Sequence, residues 1–348
     1  MAESSVLFIY QPNYPEYTTG GELFLNEVYK YFKSVKKEVY IIGNRNDNNS
    51  RLKKIVSGFR MFRLVKGDSV IICTNNECLH FYLPLLFRKI FFHNVKIYLI
   101  IHHLIQSLSH KKLLNYLETA FIRKTDFQLT ISEATKAELV NRKILSDNIK
   151  VVNPGTDIIP HNAERLKNQI LFVGNIEERK GLHVVIRALS IIKNQDYRLI
   201  IVGDFKRDKK YTDRIKKMID QYKLGEKIFF KGKISDEELI KLYSESEIFI
   251  FSSELEGYGL SLIDAMKCGL AVIASDISST KEIVTDGIDG ILYKKDDYEM
   301  LAEKLNMLMT DSDLRNMLAE NSLKRSKSFN SWNETCKLVY EAFTEAMI

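Results

Sequence analysis

Short apolar runs alternate with amphipathic stretches along the whole chain of 348 residues. Several runs are continuously apolar, which is typical of parallel strands buried on both faces. In the first half the predicted strands are Val6–Tyr10, Val39–Ile42, Ser69–Cys73, Lys96–Ile101, Phe127–Ile131 and Lys150–Val152. In the second half they are Gln169–Val173, Arg198–Val202, Lys227–Lys231, Ile248–Phe251, Leu270–Ala274 and Gly290–Tyr293. Strands separated by helices predict an α/β protein with two doubly wound, Rossmann-like domains.

One segment interrupts this alternation. Asn153–Pro160 contains two prolines and one glycine, a composition that marks a linker. The sequence therefore predicts a first domain over 1–153, a linker over 154–160 and a second domain over 161–325. Residues 326–348 have apolar positions at helical spacing, and we expect a terminal helix that crosses back to the first domain. We also expect the two domains to face each other across a cleft.

Composition excludes several classes of protein. The chain is 45% hydrophobic and 28% charged, which excludes wholesale disorder. Its four cysteines are scattered without a Cys-x-x-Cys pair, so we expect a reduced cytoplasmic setting and no structural zinc site. The first residues lack the basic region and long apolar core of a secretory signal. No apolar run approaches the roughly 20 residues that span a bilayer.

The positive charge is concentrated in the first half. Residues 51–124 hold 13 Lys and Arg against three Asp and Glu, although the whole chain carries only +6. Solvated helix faces would explain this stretch. An anionic membrane surface or a lipid-linked acceptor would explain it equally well, and would place the protein at the inner face of the membrane. No nucleic-acid-binding motif accompanies the charge, so nucleic acid is not an expected partner.

In each half, one glycine-containing turn follows the first strand. Ligands of open α/β sheets bind at such turns. Gly20 and Gly21 precede a predicted helix, and paired glycines there let backbone amides approach an anion, although such a pair is often only a turn. In the second half, Arg179 and Lys180 stand at a helix start. Because the helix dipole disfavours cations there, a bound diphosphate explains this pair better than solvation does.

The most informative segment follows the predicted strand Ile248–Phe251. A glycine-rich turn leads into a helix, and Glu256 and Asp264 are separated by seven residues. One carboxylate then lies in the turn and the other about one helical turn inside, so both can reach one ligand. Carboxylates accept hydrogen bonds from sugar and ribose hydroxyls, and a bond to a charged group contributes about 1.5–3 kcal/mol.

Together these segments resemble the group 1 family of retaining, nucleotide-sugar-dependent glycosyltransferases with the GT-B fold. The family signature E-G-F-G-x-x-x-x-E-A-M-A-x-G-x-P-V stands here as E-G-Y-G-L-S-L-I-D-A-M-K-C-G-L-A-V from Glu256. The segments F-V-G-N-I-E-E-R-K-G, G-K-I-S-D-E-E-L-I-K-L-Y and T-I-S-E-A-T also match. The resemblance covers nearly the whole chain and is strongest from Ile170 to Leu292.

The resemblance implies a role for each matching residue. Glu256, with the backbone of the turn after it, would contact the donor sugar, and Asp264 would hold the ribose. Lys180 would bind the diphosphate. His102 would point into the cleft near the sugar, with His103 as its rival for that place. The remaining donor-binding residues implied are Gly20, Gly21, Gly174, Asn175, Gly257, Tyr258, Gly259 and Leu260.

Two departures from the family pattern bear on donor binding. Asn175 stands where an arginine is usual, and we expect Arg179 to replace that cation. Asp264 stands where a glutamate is usual, and the lost methylene shortens its reach by about 1.5 Å. Either the helix lies closer to the nucleotide or the nucleotide is held differently.

The implied activity is transfer of a sugar from a nucleotide-diphosphate sugar to an acceptor hydroxyl, with retained anomeric configuration. The acceptor would belong to a cell-surface polysaccharide, a glycolipid or a glycoprotein glycan. No cofactor or metal ion is expected beyond the donor itself. Two alternatives stay open: a GT-B nucleotide-sugar epimerase, and a non-catalytic GT-B-like subunit that binds a partner transferase or a polypeptide.

Overall fold

The computed structural model describes residues 7–10, 20–35, 39–42, 70–74, 95–104, 112–145, 147 and 149–346. The chain divides into two compact units, Met1–Gly155 together with Asn330–Ile348, and Thr156–Phe329. The units therefore part between Gly155 and Thr156, inside the segment predicted as a linker. Most of the basic stretch 51–124 lies outside the described residues.

The first unit contains a sheet of six parallel strands in the order β2-β1-β3-β4-β5-β6. These are β1 (Leu7–Tyr10), β2 (Val39–Ile42), β3 (Val70–Thr74), β4 (Lys96–Ile101), β5 (Phe127–Thr130) and β6 (Ile149–Val151). The helices between them are α1 (Gly20–Val35), α2 (Lys112–Ile122) and α3 (Glu133–Asn141). Strand β4 is buried along nearly its whole length, as its continuous apolar sequence predicts.

The second unit repeats this architecture, with strand order β12-β11-β10-β7-β8-β9. Its strands are β7 (Gln169–Val173), β8 (Arg198–Val202), β9 (Ile228–Gly232), β10 (Ile248–Phe251), β11 (Ala271–Ser275) and β12 (Ile291–Tyr293). Its helices are α4 (Leu182–Ile191), α5 (Lys209–Tyr222), α6 (Asp236–Glu245), α7 (Leu260–Lys267), α8 (Tyr298–Thr310) and α9 (Ser312–Ser326). The prediction of two doubly wound parallel-sheet domains is confirmed.

Local sequence signals set the ends of the helices. Helix α6 begins at a capping box, in which the Ser235 side chain accepts from the backbone N–H of Glu238 and the Glu238 side chain accepts from that of Ser235. After α7 the chain turns at Gly269, whose φ of 67° is a left-handed conformation that favours glycine. Among the helices described, none combines the length and apolar character needed to cross a bilayer.

The last helix, α10 (Trp332–Glu345), packs in the first unit although it follows the second along the chain. The Phe343 ring lies 5.2 Å from the ring of Tyr98 on β4 and 5.7 Å from the ring of Phe127 on β5, measured between centroids. The ring of Trp332 lies 6.0 Å from that of Phe24 on α1. Aromatic pairs at these distances add to the burial energy, so α10 belongs to the core of the first unit.

A close backbone contact at the start of α10 gives a test of this packing. A Cβ atom at Gly155 would lie 2.2 Å from the carbonyl oxygen of Ser331, and backbone atoms cannot rotate away as a side chain can. We expect Gly155→Ala to lower the free energy of unfolding by about 1–3 kcal/mol in a urea titration. Gly225→Ala is the control, because a Cβ there meets nothing within 4 Å. Equal stabilities of the two variants would contradict the packing.

Candidate functional site

Two neighbouring strands bring the predicted donor-binding residues of the second unit to one edge of its sheet. Strand β10 pairs with β7 in parallel, with Ile248 opposite Ile170. The chain runs from β7 outward to β8 and β9, then returns to β10 on the other side of β7. The strand order therefore reverses between β7 and β10, which is where open α/β sheets bind ligands, beyond the carboxyl ends of the strands.

The loops after these two strands meet in a cluster of opposite charges. The Lys180 ammonium contacts Oε2 of Glu256, and Nη1 of Arg179 lies 3.3 Å from the same oxygen. The Ser253 hydroxyl lies 3.4 Å from it as a further donor. The side chains of Lys180 and Glu256 are only 13% and 18% exposed, so water screens their attraction less than at an open surface.

The backbone around Lys180 is fixed by contact between the two loops. Residues Glu178–Lys180 form one turn of 3₁₀-helix, which ends at Gly181 with a φ of 66°. A Cβ at Gly181 would lie 2.0 Å from the carbonyl oxygen of Ser252, so only glycine allows this approach. The Ser252 hydroxyl in turn donates to the carbonyl oxygen of Lys180 at 2.9 Å. The side-chain carbons of Lys180 thereby lie beside Gly174, and its ammonium lies 5.7 Å from the centre of the Phe251 ring.

The glycine-rich turn before α7 is compact and largely inaccessible. Gly257, Tyr258 and Gly259 are buried, and Leu260, the first residue of α7, is partly exposed. Gly259 has a φ of 130°, a conformation that other residues rarely adopt. The first N–H groups of a helix have no acceptor within the helix, so the start of α7 offers donors to an anionic or hydroxyl-bearing ligand.

Asp264 lies on α7, one turn after the glycine-rich turn. Its Oδ1 accepts a hydrogen bond from the Thr156 hydroxyl, and the ammonium of Lys267 donates to the Thr156 carbonyl oxygen. Burial raises the pKa of Asp264 to about 6, against the opposing effects of the Thr156 hydrogen bond and the Lys267 charge. The carboxylate is therefore held in place by the first residue of the second unit.

The environments of Asn175 and Arg179 differ. Asn175 stands where the family pattern has an arginine, and Arg179 is the expected replacement. The Asn175 side-chain oxygen accepts from the backbone N–H of Asp204 at 3.3 Å and so ties the β7 loop to the β8 loop. Besides its contact with Glu256, Arg179 has its Nη2 2.6 Å from Oε1 of Glu177. Arg179 thus brings a cation to the same carboxylate as Lys180, and Asn175 does not.

The predicted site residues of the first unit are Gly20, Gly21 and His102. The two glycines open α1, and a Cβ at Gly21 would lie 3.0 Å from Cδ2 of His102. The His102 side chain follows β4, is only 6% exposed, and its Nε2 has no hydrogen-bond partner among the residues that the structure describes. Its rival His103 is exposed. The structure therefore sets His102, rather than His103, against the glycine pair.

Four contacting residues were not foreseen from the sequence. Ser253 and Glu177 lie beside Glu256 and Arg179, and Thr156 and Lys267 lie beside Asp264. Lys267 follows Asp264 by three residues, a spacing that puts two side chains on one helix face and was available as a signal. The contact of Thr156 had no local signal, because 108 positions separate it from Asp264.

Within the described residues, His183, Glu254 and Asp296 bring metal-ligating atoms within 4.8 Å of one another. Nε2 of His183 is 4.0 Å from Oε1 of Glu254. Burial and then the charge of Asp296 raise the pKa of Glu254, while Lys295 and Arg214 lower it. Because cations of the chain itself already face these carboxylates, the group provides no argument for a bound metal ion. The expectation that no metal is needed stays a prediction.

Comparison with known sequences identifies the second unit. The family described as glycosyl transferases group 1 matches residues 156–325. The match therefore covers nearly the whole of the second unit, Thr156–Phe329. The serotype-specific mannosyltransferase WbdA of Escherichia coli is 27% identical over 247 residues, which are 66% of this chain and 30% of WbdA. An uncharacterized glycosyltransferase of Methanocaldococcus jannaschii is 31% identical over 229 residues, 62% of this chain and 57% of that protein. The chain thus spans less than two thirds of these relatives.

Solved structures share the fold of this chain along nearly its whole length. Anabaena HepE, solved in complex with UDP and glucose, has a TM-score of 0.79 at 18% identity, and the match covers 97% of this chain and 99% of HepE. Sucrose-phosphate synthase of Thermosynechococcus elongatus has a TM-score of 0.82 at 19% identity, covering 98% of both chains. At these identities the likeness establishes the fold, and the predicted GT-B class is confirmed.

The buried His102 gives a prediction about pH. Burial, and to a smaller extent the charge of His103, lowers the pKa of His102 to about 3, whereas an unfolded histidine titrates near about 6.5. Between these values the unfolded chain binds more protons than the folded one, so stability falls as the pH falls. Urea titrations at about pH 7 and about pH 5 should show this loss, and a smaller loss for His102→Gln. The exposed His161 provides the control, because His161→Gln should keep the wild-type difference.

Proposed function

We propose that the protein is a retaining glycosyltransferase, which moves a sugar from a nucleotide-diphosphate sugar to an acceptor hydroxyl. The observation that carries this proposal is the meeting of Lys180, Arg179 and Glu256 at the edge between β7 and β10. At the point where the strand order reverses, two cations can bind the diphosphate of an activated sugar, and a carboxylate can bind its hydroxyls.

The proposed donor-binding roles follow the family pattern. Lys180 and Arg179 hold the diphosphate, with Arg179 taking the place of the cation that Asn175 lacks. Glu256, with the turn from Gly257 to Leu260, holds the sugar hydroxyls, and Asp264 holds the ribose. In support, HepE was solved with UDP-glucose as well as with UDP. The same family pattern gives the proposed roles in the first unit: Gly20 and Gly21 lie beside the phosphates, and His102 lies near the sugar.

The proposed reaction uses the cations in the transition state. The bond between the anomeric carbon and the phosphate oxygen breaks while the acceptor oxygen attacks from the same face, so the configuration is retained. Negative charge then grows on the departing diphosphate, and Lys180 and Arg179 stabilise it more than they stabilise the intact donor. The acceptor proton passes to a phosphate oxygen of the leaving group. With these cations in place, no metal ion is proposed.

The proposed pathway is the synthesis of a cell-surface polysaccharide or related glycan. WbdA is described as a serotype-specific mannosyltransferase, and the 27% identical CapM of Staphylococcus aureus is described as a capsular polysaccharide biosynthesis glycosyltransferase. An acceptor of this class is a saccharide that can be carried on a lipid. The excess of Lys and Arg over 51–124 is the feature that favours a lipid-linked acceptor and contact with an anionic membrane surface.

Donor turnover by the purified protein tests the proposed activity. With UDP-glucose, UDP-galactose and GDP-mannose as probes, we expect release of the nucleoside diphosphate from at least one. Lys180→Ala should reduce this rate by at least about a hundredfold, because removal of one electrostatic stabiliser typically costs that much. Arg179→Ala should weaken donor binding, and Lys241→Ala, an exposed lysine on α6, should leave both unchanged.

The outcomes separate the proposed activity from its alternatives. NMR of a saccharide product should show the anomeric configuration of the donor. An epimerised donor formed without any acceptor would replace the proposal with the epimerase alternative. No binding of any nucleotide sugar would favour the non-catalytic subunit. If Arg179→Ala binds the donor as wild type does, its role as the replacing cation is wrong.

Liposome flotation tests the proposed membrane contact. We expect the protein to float with vesicles that contain about a third of anionic lipid and to remain unbound with neutral vesicles, because each Lys or Arg near an anionic surface adds about 1 kcal/mol. Binding should weaken as salt is raised from about 0.05 M to about 0.5 M, since salt screens such attraction. Flotation that depends on neither anionic lipid nor salt would contradict the proposal.

A further inference from the structure

Asp264, Thr156 and Lys267 form a connected set of hydrogen bonds that the family pattern does not describe. The Thr156 hydroxyl donates to Oδ1 of Asp264. The Lys267 ammonium, one turn further along α7, donates to the carbonyl oxygen of the same threonine. The hydroxyl and the carbonyl group of Thr156 are therefore both bound to α7, and the start of the second unit is fixed to the helix that carries the carboxylate.

The direction of the Thr156 hydrogen bond follows from its neighbours. The backbone N–H of Ile158 lies 3.4 Å from the Thr156 hydroxyl oxygen and donates to it, in the short loop that threonine side chains often form with the residue two positions on. With its oxygen accepting from Ile158, the hydroxyl directs its own hydrogen to Asp264. A hydroxyl that donates to a carboxyl oxygen stabilises the ionised form of that carboxyl group.

The other carboxyl oxygen of Asp264 is differently placed. No described residue donates a hydrogen bond to Oδ2, and Asp264 is partly exposed. The carboxylate thus has one oxygen held by Thr156 and one oxygen that no described residue holds. An ionised carboxyl oxygen with free lone pairs is an acceptor for a hydroxyl group.

We propose that Thr156 and Lys267 are positioning residues, which keep the Asp264 carboxylate ionised and turn its Oδ2 toward the ribose hydroxyls of the donor. The inference rests on the proposed function, since it concerns the nucleotide half of the same site. It also explains how an aspartate serves in place of the longer glutamate: the shorter side chain is held in a fixed orientation from behind. Lys267 contributes its charge and fixes Thr156, and Thr156 makes the contact.

Within the described part of the chain, few other titratable or charged groups face Asp264. The lysine on its own helix is Lys267, whose charge favours the ionised carboxylate. On α6, burial raises the pKa of the Tyr243 phenol well above 10, and the charge of Asp264 raises it further. At the end of α7, burial raises the pKa of the Cys268 thiol to about 12. Since neither the phenol nor the thiol ionises near neutral pH, Asp264 is the member of this group of three that titrates between about pH 5 and 8.

Donor affinity as a function of pH tests the inference. Calorimetry with UDP-glucose or GDP-mannose, whichever binds more tightly, avoids a titrating phosphate, because the diphosphate of a nucleotide sugar keeps its charge over this range. Wild-type affinity should rise through about pH 6 and then level off. Thr156→Val should bind about tenfold more weakly at pH 7 and recover toward wild type as the pH rises, because the midpoint moves up.

Matched variants separate positioning from a structural effect. Thr156→Ser keeps the hydroxyl and should restore the wild-type pH profile. Lys267→Met should move the midpoint in the same direction as Thr156→Val, whereas Lys241→Met and Thr310→Val, at exposed positions of the same unit, should not. Against a donor lacking both ribose hydroxyls, wild type and Thr156→Val should bind alike. A loss in Thr156→Val that is equal at every pH, or equal for both donors, would overturn the inference.

A measurement without ligand distinguishes this inference from the proposed function. ¹³C NMR of carboxyl-labelled aspartate should give a titration midpoint for Asp264 near about 6, raised in Thr156→Val and unchanged in Thr156→Ser. An unshifted midpoint in Thr156→Val would overturn the positioning role whatever the donor does. If Thr156→Val shifts the Asp264 midpoint but the protein binds no nucleotide sugar, the positioning of Asp264 by Thr156 is supported and the proposed function is overturned.

Discussion

The arrangement of the second unit depends on one constraint: β7 and β10 are parallel neighbours, so the loops that leave them start at the same edge of the sheet. One loop carries Arg179 and Lys180, and the other carries Glu256. Their attraction across a partly buried contact joins the two loops at the point where the strand order reverses. The short approach of Gly181 to Ser252 sets the distance between the loops, and the charged groups could not meet without it.

The two carboxylates of the site have different neighbours. Glu256 lies against two cations and a serine hydroxyl, whereas Asp264 has a hydroxyl on one oxygen and a single lysine nearby. Burial therefore dominates at Asp264 and raises its pKa to about 6. In the proposed reaction the two carboxylates have separate tasks: Glu256 holds the sugar hydroxyls beside the cations that bind the diphosphate, and Asp264 holds the ribose.

The sequence predicts the fold well because continuous apolar strands and amphipathic helices are local patterns. The segments after β7 and β10 could likewise be found from residue types and spacing, since each is contiguous. Contacts between distant segments could not be predicted. In the sequence, Thr156 belongs to a segment whose prolines and glycine predict a linker. Only the folded chain shows that its hydroxyl donates a hydrogen bond to Asp264. The orientation of Arg179 toward Glu256 likewise depends on loop geometry that residue types do not encode.

The return of α10 to the first unit has a consequence for synthesis in the cell. The second unit is continuous from Thr156 to Phe329, whereas the first needs Phe343 and its neighbours beside β4 and β5. On the ribosome the later-encoded unit can thus acquire its full core while the earlier one still lacks a helix. Until that helix emerges, apolar surface around Tyr98 and Phe127 stays uncovered, which makes the nascent first unit a target for chaperones.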